Sequence, residues 1–599
     1  MKIDRLLEGG FAAIACAATF LAFAGMAWGA DASATVAETR RPEGARIVDS
    51  IVPCARGGAI VVGSLADPKS FNPLMASETN TTEITHRIFD NLVELDCANL
   101  DYLPGLAESW DVSADELRWT FRLRRGIEWA DGAPFSADDV LFTFRAIYDS
   151  TTQSPERDGV SLDGVPFRVT KQGDSTIVIE THKPFGPMLH ALATGAAIIP
   201  EHAWGPALAN GEFASSLGID TPAEHVFGTG PFRLEKREPG RTVLVRNDRF
   251  WKFDGAGTRL PYADRIIVVA VGNQETWRLK FDAREIDVCS IKPDEANAAI
   301  AESRAKGFTV VDLGPRLGTI HFALNQKPGK NEKGEPYVDP KKLSWFRDLR
   351  FRQAVSRAID RETIVRTAYG GHGVPIYGPI SPADKRWYNA AIPTHGYDPE
   401  GARELLAAIG MRDTNGDGIL EDGGGNRIAF TLETNTGNSV RMQVAQLIVA
   451  DLAAVGIAVT LSFVDFNTLH ENVRHTNRFE ACMFSSSSSG DPASAMNYWL
   501  ASGSSRDFHL RPQGPVTGWE RQADSLATAS LMTSNFAERK RLFDRVQVLF
   551  AENLGFIYVA NDNIFAAYWN RFENVRLGRV RGFHEFLWNE DEIGVLRAP

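Results

Sequence analysis

The sequence predicts a protein of the α/β class with mixed sheets, divided into more than one domain. Three observations lead there. At 599 residues the chain is too long for a single hydrophobic core. Strand-like and helix-like stretches alternate irregularly to the end, which is the pattern of helices packed on sheets. No internal repeat of about 20 to 50 residues interrupts them, so a solenoid or propeller is not expected. An apolar content of 44% with 23% charged residues is that of an ordinary globular protein.

Residues 33–56, rich in Ala, Arg, Glu and Pro without periodicity, read as a flexible leader. The first strand is expected at Ala59-Ile-Val-Val-Gly63, ending in the turn-forming run Asp67-Pro-Lys-Ser-Phe-Asn-Pro73. Trp119-Thr-Phe-Arg-Leu-Arg124 alternates apolar and polar, as a half-buried strand does. Asp138 and Asp139, followed by Val140, Leu141, Phe144 and Ile147, give a helix with an acidic first turn and an apolar face. Phe351 to Val365 reads as one amphipathic helix, and Val440 to Val455 as another that leads into a strand at Ile457-Ala-Val-Thr-Leu461. Trp110, Trp119 and Trp129 are expected in cores.

A net charge of −12 argues against nucleic-acid binding, which needs a basic face. The first thirty residues stand apart from the rest. Lys2 and Arg5 precede an apolar run from Phe11 to Trp28, and Ala30-Asp-Ala32 offers a cleavage pattern, so 1–32 reads as a signal peptide. A retained membrane anchor is the alternative. Cys16 sits early in the run and lacks the usual Leu three places before it, so a lipoprotein is the lesser reading. Export places the protein in the periplasm, where Cys54, Cys97, Cys289 and Cys482 could form two disulfides or stay as buried thiols.

Five stretches in order then spell out a family. They are Asp67-Pro68 with Phe71-Asn-Pro73; Pro104-Gly-Leu-Ala-Glu-Ser-Trp110 followed by Trp119 to Gly126, Trp129, Asp131-Gly132 and Phe135-Ser-Ala-Asp-Asp-Val140; Gly228-Thr-Gly-Pro-Phe232 with Arg246-Asn247, Phe250-Trp251 and Glu285-Ile-Asp287; Phe351-Arg-Gln-Ala-Val355 with Ala358-Ile-Asp-Arg361 and Gly378-Pro379; and Gly490-Asp-Pro492 with Ala537-Glu-Arg-Lys540 and Ala551-Glu552. From about residue 57 onward the chain resembles the family 5 extracellular solute-binding proteins, among them oligopeptide- and dipeptide-binding receptors of ABC importers. The resemblance implies a two-lobed periplasmic-binding-protein fold, large and type II-like, with a third inserted domain. Carried over, the first lobe takes 57–80, 190–289 and 556–599, the inserted domain 81–189, and the second lobe 290–555. Hinge crossings are expected at 287–292 and 556–560. It also implies a small-molecule or peptide ligand, an inner-membrane permease with its ATPase, a monomer, and no catalysis. A secreted hydrolase or a ligand-presenting sensor on the same fold are the alternatives, but the sequence holds no G-x-S-x-G elbow, H-E-x-x-H pair or phosphate-binding loop.

Peptide-binding members place an Asp, which holds the peptide's α-ammonium, three residues before Asp-Pro. Here that position is Ser488, within the run Ser485, Ser486, Ser487, Ser488, Ser489 before Asp491. Hydroxyls suit neutral polar groups instead. Further ligand candidates are Glu78, Thr79 and Asn80 after the first turn, Asn435, Thr436 and Asn438 before a helix, and Trp499 with Tyr498. No cofactor is implied except at Asp413, Asn415 and Asp417, which open a calcium-loop pattern whose twelfth position is Gly424 rather than Glu.

Overall fold

The computed structural model describes residues 41–76, 78–486, 488–512, 517–578 and 587–596. The expected signal segment, Cys16, the start of the leader and Ser487 lie outside these residues.

The strand expected first forms at Ala59–Ser64, with Ile60 and Val62 buried. It lies in the middle of a mixed eight-stranded sheet. The order is Phe232–Glu238, Arg241–Arg246, Arg265–Ala270, Ala59–Ser64, Val288–Ile291, Ala560–Trp569 and Phe308–Pro315, with Gly373–Pro375 also paired to Ala560–Trp569. Ala59–Ser64 runs parallel to both neighbours, while the outer pairs are antiparallel. A second, five-stranded sheet has the order Ala458–Val464, Ala429–Asn435, Ala481–Ser485, Ile320–Leu324, Ile557–Tyr558. A third, fully antiparallel sheet carries Ala107–Val112, Arg118–Leu123, Thr176–Glu180 and Arg168–Lys171. The helix Ala137–Tyr148 belongs with it, started by a reciprocal capping box between Ser136 and Asp139. Trp119 and Trp129 are buried and Trp110 half-buried in the same core.

Three expectations are corrected. The chain does not cross between the two larger sheets at 287–292, because Val288–Ile291 and Phe308–Pro315 both belong to the large sheet. Phe308 is held there in a ring cluster with Phe281 and Trp569, and the crossing falls at 316–319. The helix expected from Phe351 to Val365 is two, Leu349–Ala358 and Arg361–Ala368. Asp360 caps the second by accepting from Thr363 N at 2.9 Å, and the buried Arg361 guanidinium donates to Tyr558 O at 2.9 Å and Ser356 O at 2.8 Å. The leader is not uniformly irregular, since Arg46–Val48 pairs in parallel with Lys252–Asp254 and Arg46 contacts Glu94 at 2.8 Å.

Cys54, Cys97, Cys289 and Cys482 are free thiols rather than two disulfides. Cys289 is buried beside the large sheet, in the core that holds Phe281 and Trp569, and Cys482 in a different core, beneath the second sheet, so the two buried thiols belong to separate cores. No helix among the described residues is long and apolar enough to cross a membrane.

Candidate ligand-binding cavity

The two parallel strands Ala429–Asn435 and Ala481–Ser485 of the second sheet end at neighbouring positions. Beyond such carboxyl ends α/β proteins bind their ligands. A cavity of about 1240 Å³ lies there, closed on its other sides by the helix Thr79–Ile88, the segments around Asp90–Cys97 and Ala193–Ala197, and the C-terminal residues Trp588–Glu592.

The glycine motif positions one wall. A Cβ on Gly228 would lie 2.0 Å from Ile88 O, and one on Gly230 would lie 2.7 Å from it. Only glycines let this backbone run against the end of the helix, where Gly230 N donates to Ile88 O at 2.9 Å. The same helix brings Thr82, Thr85 and His86 to the cavity. Its first residues do other work. Asn80 Nδ2 donates to Asp67 O, Thr79 O accepts from Thr82 Oγ1 at 3.0 Å, and Glu78 Oε1 accepts from Thr81 Oγ1 at 3.1 Å. Glu78, Thr79 and Asn80 are not among the residues lining the cavity.

The serine run does line it, through Ser485, Ser486, Ser488 and Ser489. Ser485 Oγ accepts from Arg441 Nη2 at 2.8 Å. Ser486 Oγ bonds Thr319 Oγ1 at 2.9 Å, and Ser489 Oγ bonds Ser494 Oγ at 2.7 Å and His190 Nε2 at 3.1 Å. Ser488 Oγ accepts from Gly490 N at 3.2 Å, which leaves its own hydroxyl proton to donate. Asp491 and Trp499 also border the cavity, but both are committed to the protein. Asp491 is clamped by both ends of the Arg539 guanidinium at 2.8 and 3.0 Å. Trp499 Nε1 donates to Pro492 O at 2.9 Å, and its ring packs on Tyr498 and Phe543.

Asn435, Thr436 and Asn438 stand behind the wall. Asn438 caps the helix Ser439–Ala454 through Arg441 N at 2.9 Å, and Thr436 N donates to Val464 O at 2.7 Å. Asn435 Oδ1 accepts from Arg441 Nη1 at 2.7 Å. Arg441 itself lines the cavity, as do Arg316, Phe466 and Arg474, none of which the sequence reading singled out. One signal for Arg441 was present. A cation in the first turn of a helix faces the positive end of the macrodipole and needs a reason to be there.

Burial pushes the Asp90 carboxyl up to about 6, although Trp251 Nε1 donates to it at 2.7 Å. Burial alone pushes Glu156 up to about 7. Arg441 is drawn down to about 10, first by burial and then by the neighbouring Arg316 charge.

The loop at Asp413 lies elsewhere. Asp413 accepts from Gly416 N and Gly418 N at 2.7 and 2.9 Å, Asn415 Oδ1 accepts from Asp417 N at 2.8 Å, and Asp417 is ion-paired with Arg427 at 2.5 Å. Their oxygens are taken up in stiffening a turn, and no group of three His, Cys, Asp or Glu side chains among the described residues could hold a metal ion.

A two-lobed α/β fold around a large cavity is the architecture of the substrate-binding proteins of ABC transporters, which bind solutes and are not enzymes. The family described as bacterial extracellular solute-binding proteins, family 5 Middle, matches residues 101–507, and the chain belongs to it. A probable ABC transporter-binding protein of Deinococcus radiodurans is 27% identical over 86% of this chain and 89% of its own length. The oligopeptide-binding protein AppA of Bacillus subtilis is 29% identical over 70% of this chain and 72% of its own. The solved structure of NikA from Brucella suis in complex with Fe(III)-EDTA superposes with a TM-score of 0.74, covering 90% of this chain and all of that one at 20% identity, a likeness of fold alone.

Proposed function

We propose that this protein captures a small polar solute in the cavity, as a periplasmic monomer, and delivers it to an inner-membrane ABC permease and its ATPase. The solute is held by hydroxyl, amide and charged contacts, not by a carboxylate gripping a peptide α-ammonium. One observation supports this reading: the position that the family's spacing gives to that carboxylate is Ser488, and the two acids that could stand in for it are engaged. Asp491 is locked to Arg539, and Glu78 is bonded to Thr81 away from the cavity. A buried ammonium lacking its partner is costly.

Calorimetry with a library of free di- to pentapeptides tests it, on the wild type and on Ser488→Asp. The wild type is expected to bind free peptides at least about tenfold more weakly than Ser488→Asp does, the loss of a charge-assisted hydrogen bond being about 1.5–3 kcal/mol. Tight wild-type binding that N-terminal acetylation abolishes would mean that another acid supplies the contact.

A further inference from the structure

Seven Lys and Arg side chains line the cavity, and six of them are neutralised by the protein. Arg46 and Lys252 share Glu94 at 2.8 and 3.0 Å, Arg87 pairs with Glu590, and Arg576 with Glu592. Arg316 is held by both oxygens of Asp562 at 2.5 Å, and Arg474 contacts Asp507 at 3.1 Å. The seventh is Arg441. Its two terminal nitrogens rest on neutral acceptors, Asn435 Oδ1 and Ser485 Oγ. No carboxylate pairs with it among the described residues, and its Nε is buried without a hydrogen-bond partner. It projects from the first turn of the sixteen-residue helix Ser439–Ala454, so the helix dipole adds to its charge, and Arg316 adds more.

Such a group is expensive as it stands. An unpaired guanidinium in a partly dry wall loses hydration and gains nothing in return unless something else completes it. The neutral acceptors fix its plane, so the fork is already oriented before any ligand arrives. Anions are what such forks and helix N-termini hold.

Resting on the reading that this cavity captures a solute, we propose that the ligand carries an anionic group, a carboxylate or a phosphate, which seats on Arg441 beside the serine run. The cavity thus has the opposite polarity at this end from one built to hold an ammonium. Ser488, whose hydroxyl can donate, adds a second contact suited to an anion. Among the described residues, three acidic side chains of the cavity lack a cation, and none of them pairs with Arg441: Trp251 holds Asp90, Asp96 accepts from Ala98 N at 2.8 Å, and Glu156 is half-buried on its own.

Thermal shift and calorimetry with four probe pools decide the matter. The pools are N-acetylated tripeptides with free carboxylates, sugar phosphates, C-terminally amidated tripeptides, and neutral oligosaccharides. The acetylated peptides or the sugar phosphates are expected to raise Tm, and which of them does so identifies the source of the anion. Arg441→Gln is expected to weaken that pool's binding by about ten- to a hundredfold, the range for a charge-assisted hydrogen bond. Arg441→Lys is expected to recover part of the loss, because it keeps the charge without the fork. The ranking of pools on the wild type needs no variant, so a poorly folding Arg441→Gln leaves the test intact. Binding confined to the amidated or neutral pools, or unchanged in both variants, would overturn the anionic site while leaving solute capture standing. A protein that answers to none of the four pools would lose both.

Discussion

Asp491 and Arg441 show how a residue's neighbours, and not its type, decide its role. Asp491 sits in a family motif at a cavity wall and is 3% exposed, yet its charge is spent on Arg539. Asp491→Asn is therefore expected to act on stability, costing about 3–5 kcal/mol in urea unfolding through the buried cation it strands. A smaller loss, with ligand affinity falling sharply, would return Asp491 to the binding site. Ser488 was legible from its spacing to Asp491-Pro492 alone. Arg441 was legible only as a cation in the first turn of a helix, because what sets it apart is the absence of a carboxylate in three dimensions, which a sequence does not show.

At the scale of elements the motifs mark where backbones meet. Asp287, which closes Glu285-Ile-Asp287, accepts from Val61 N at 2.7 Å and pairs with Arg571 at 2.6 Å, tying the first strand to the end of the chain. Gly228 and Gly230 hold the helix Thr79–Ile88 in place, and that helix carries Thr82, Thr85 and His86 to the cavity. Gly228→Ala would drive a methyl into the Ile88 carbonyl, and a backbone cannot yield as a side chain can. The expected cost is about 3 kcal/mol, the upper end for overpacking, together with weakened ligand binding as the helix end shifts. Thermal unfolding and calorimetry on the same variant check both, and wild-type values in both would remove Gly228 from this role. Helices and strands with clear periodicity were legible here to within a residue or two, as at Ser439–Ala454. The break between Leu349–Ala358 and Arg361–Ala368 was not. It depends on Arg361 reaching Tyr558 O, some two hundred residues away in sequence, and a local pattern cannot register such a contact.

For the whole molecule, two chain crossings, at 316–319 and at Val559, join the second sheet to the large one. Contacts between segments distant in sequence add to these connections. His190 Nε2 bonds Ser489 Oγ at 3.1 Å, with Tyr102 OH on its Nδ1 at 3.2 Å. Arg386 donates to Leu100 O at 3.0 Å, Gly186 N donates to Leu531 O at 2.7 Å, and Glu116 accepts from Thr533 Oγ1 at 3.1 Å. On the proposed capture of a solute by closure of the two walls, these contacts are expected to form in the closed state, and a ligand engaging both walls adds to them. Small-angle scattering is therefore expected to show a smaller radius of gyration with a saturating ligand than without. His190 makes the balance sensitive to pH. Burial holds its pKa below 6.5; Asp491 acts to raise it, and Arg539 and Arg386 to lower it. An open or unfolded form that exposes His190 takes up its proton near 6.5, whereas the closed form resists until a lower pH. The closed form accordingly keeps its full advantage above pH 6.5 and loses it progressively as the pH falls toward the depressed value. Ligand affinity is expected to weaken between pH 7 and pH 5, and His190→Gln, which retains hydrogen bonding without the titration, is expected to flatten the profile. An unchanged profile in that variant would assign the pH dependence to other groups, and scattering that does not respond to ligand at either pH would show a cavity that binds without closing.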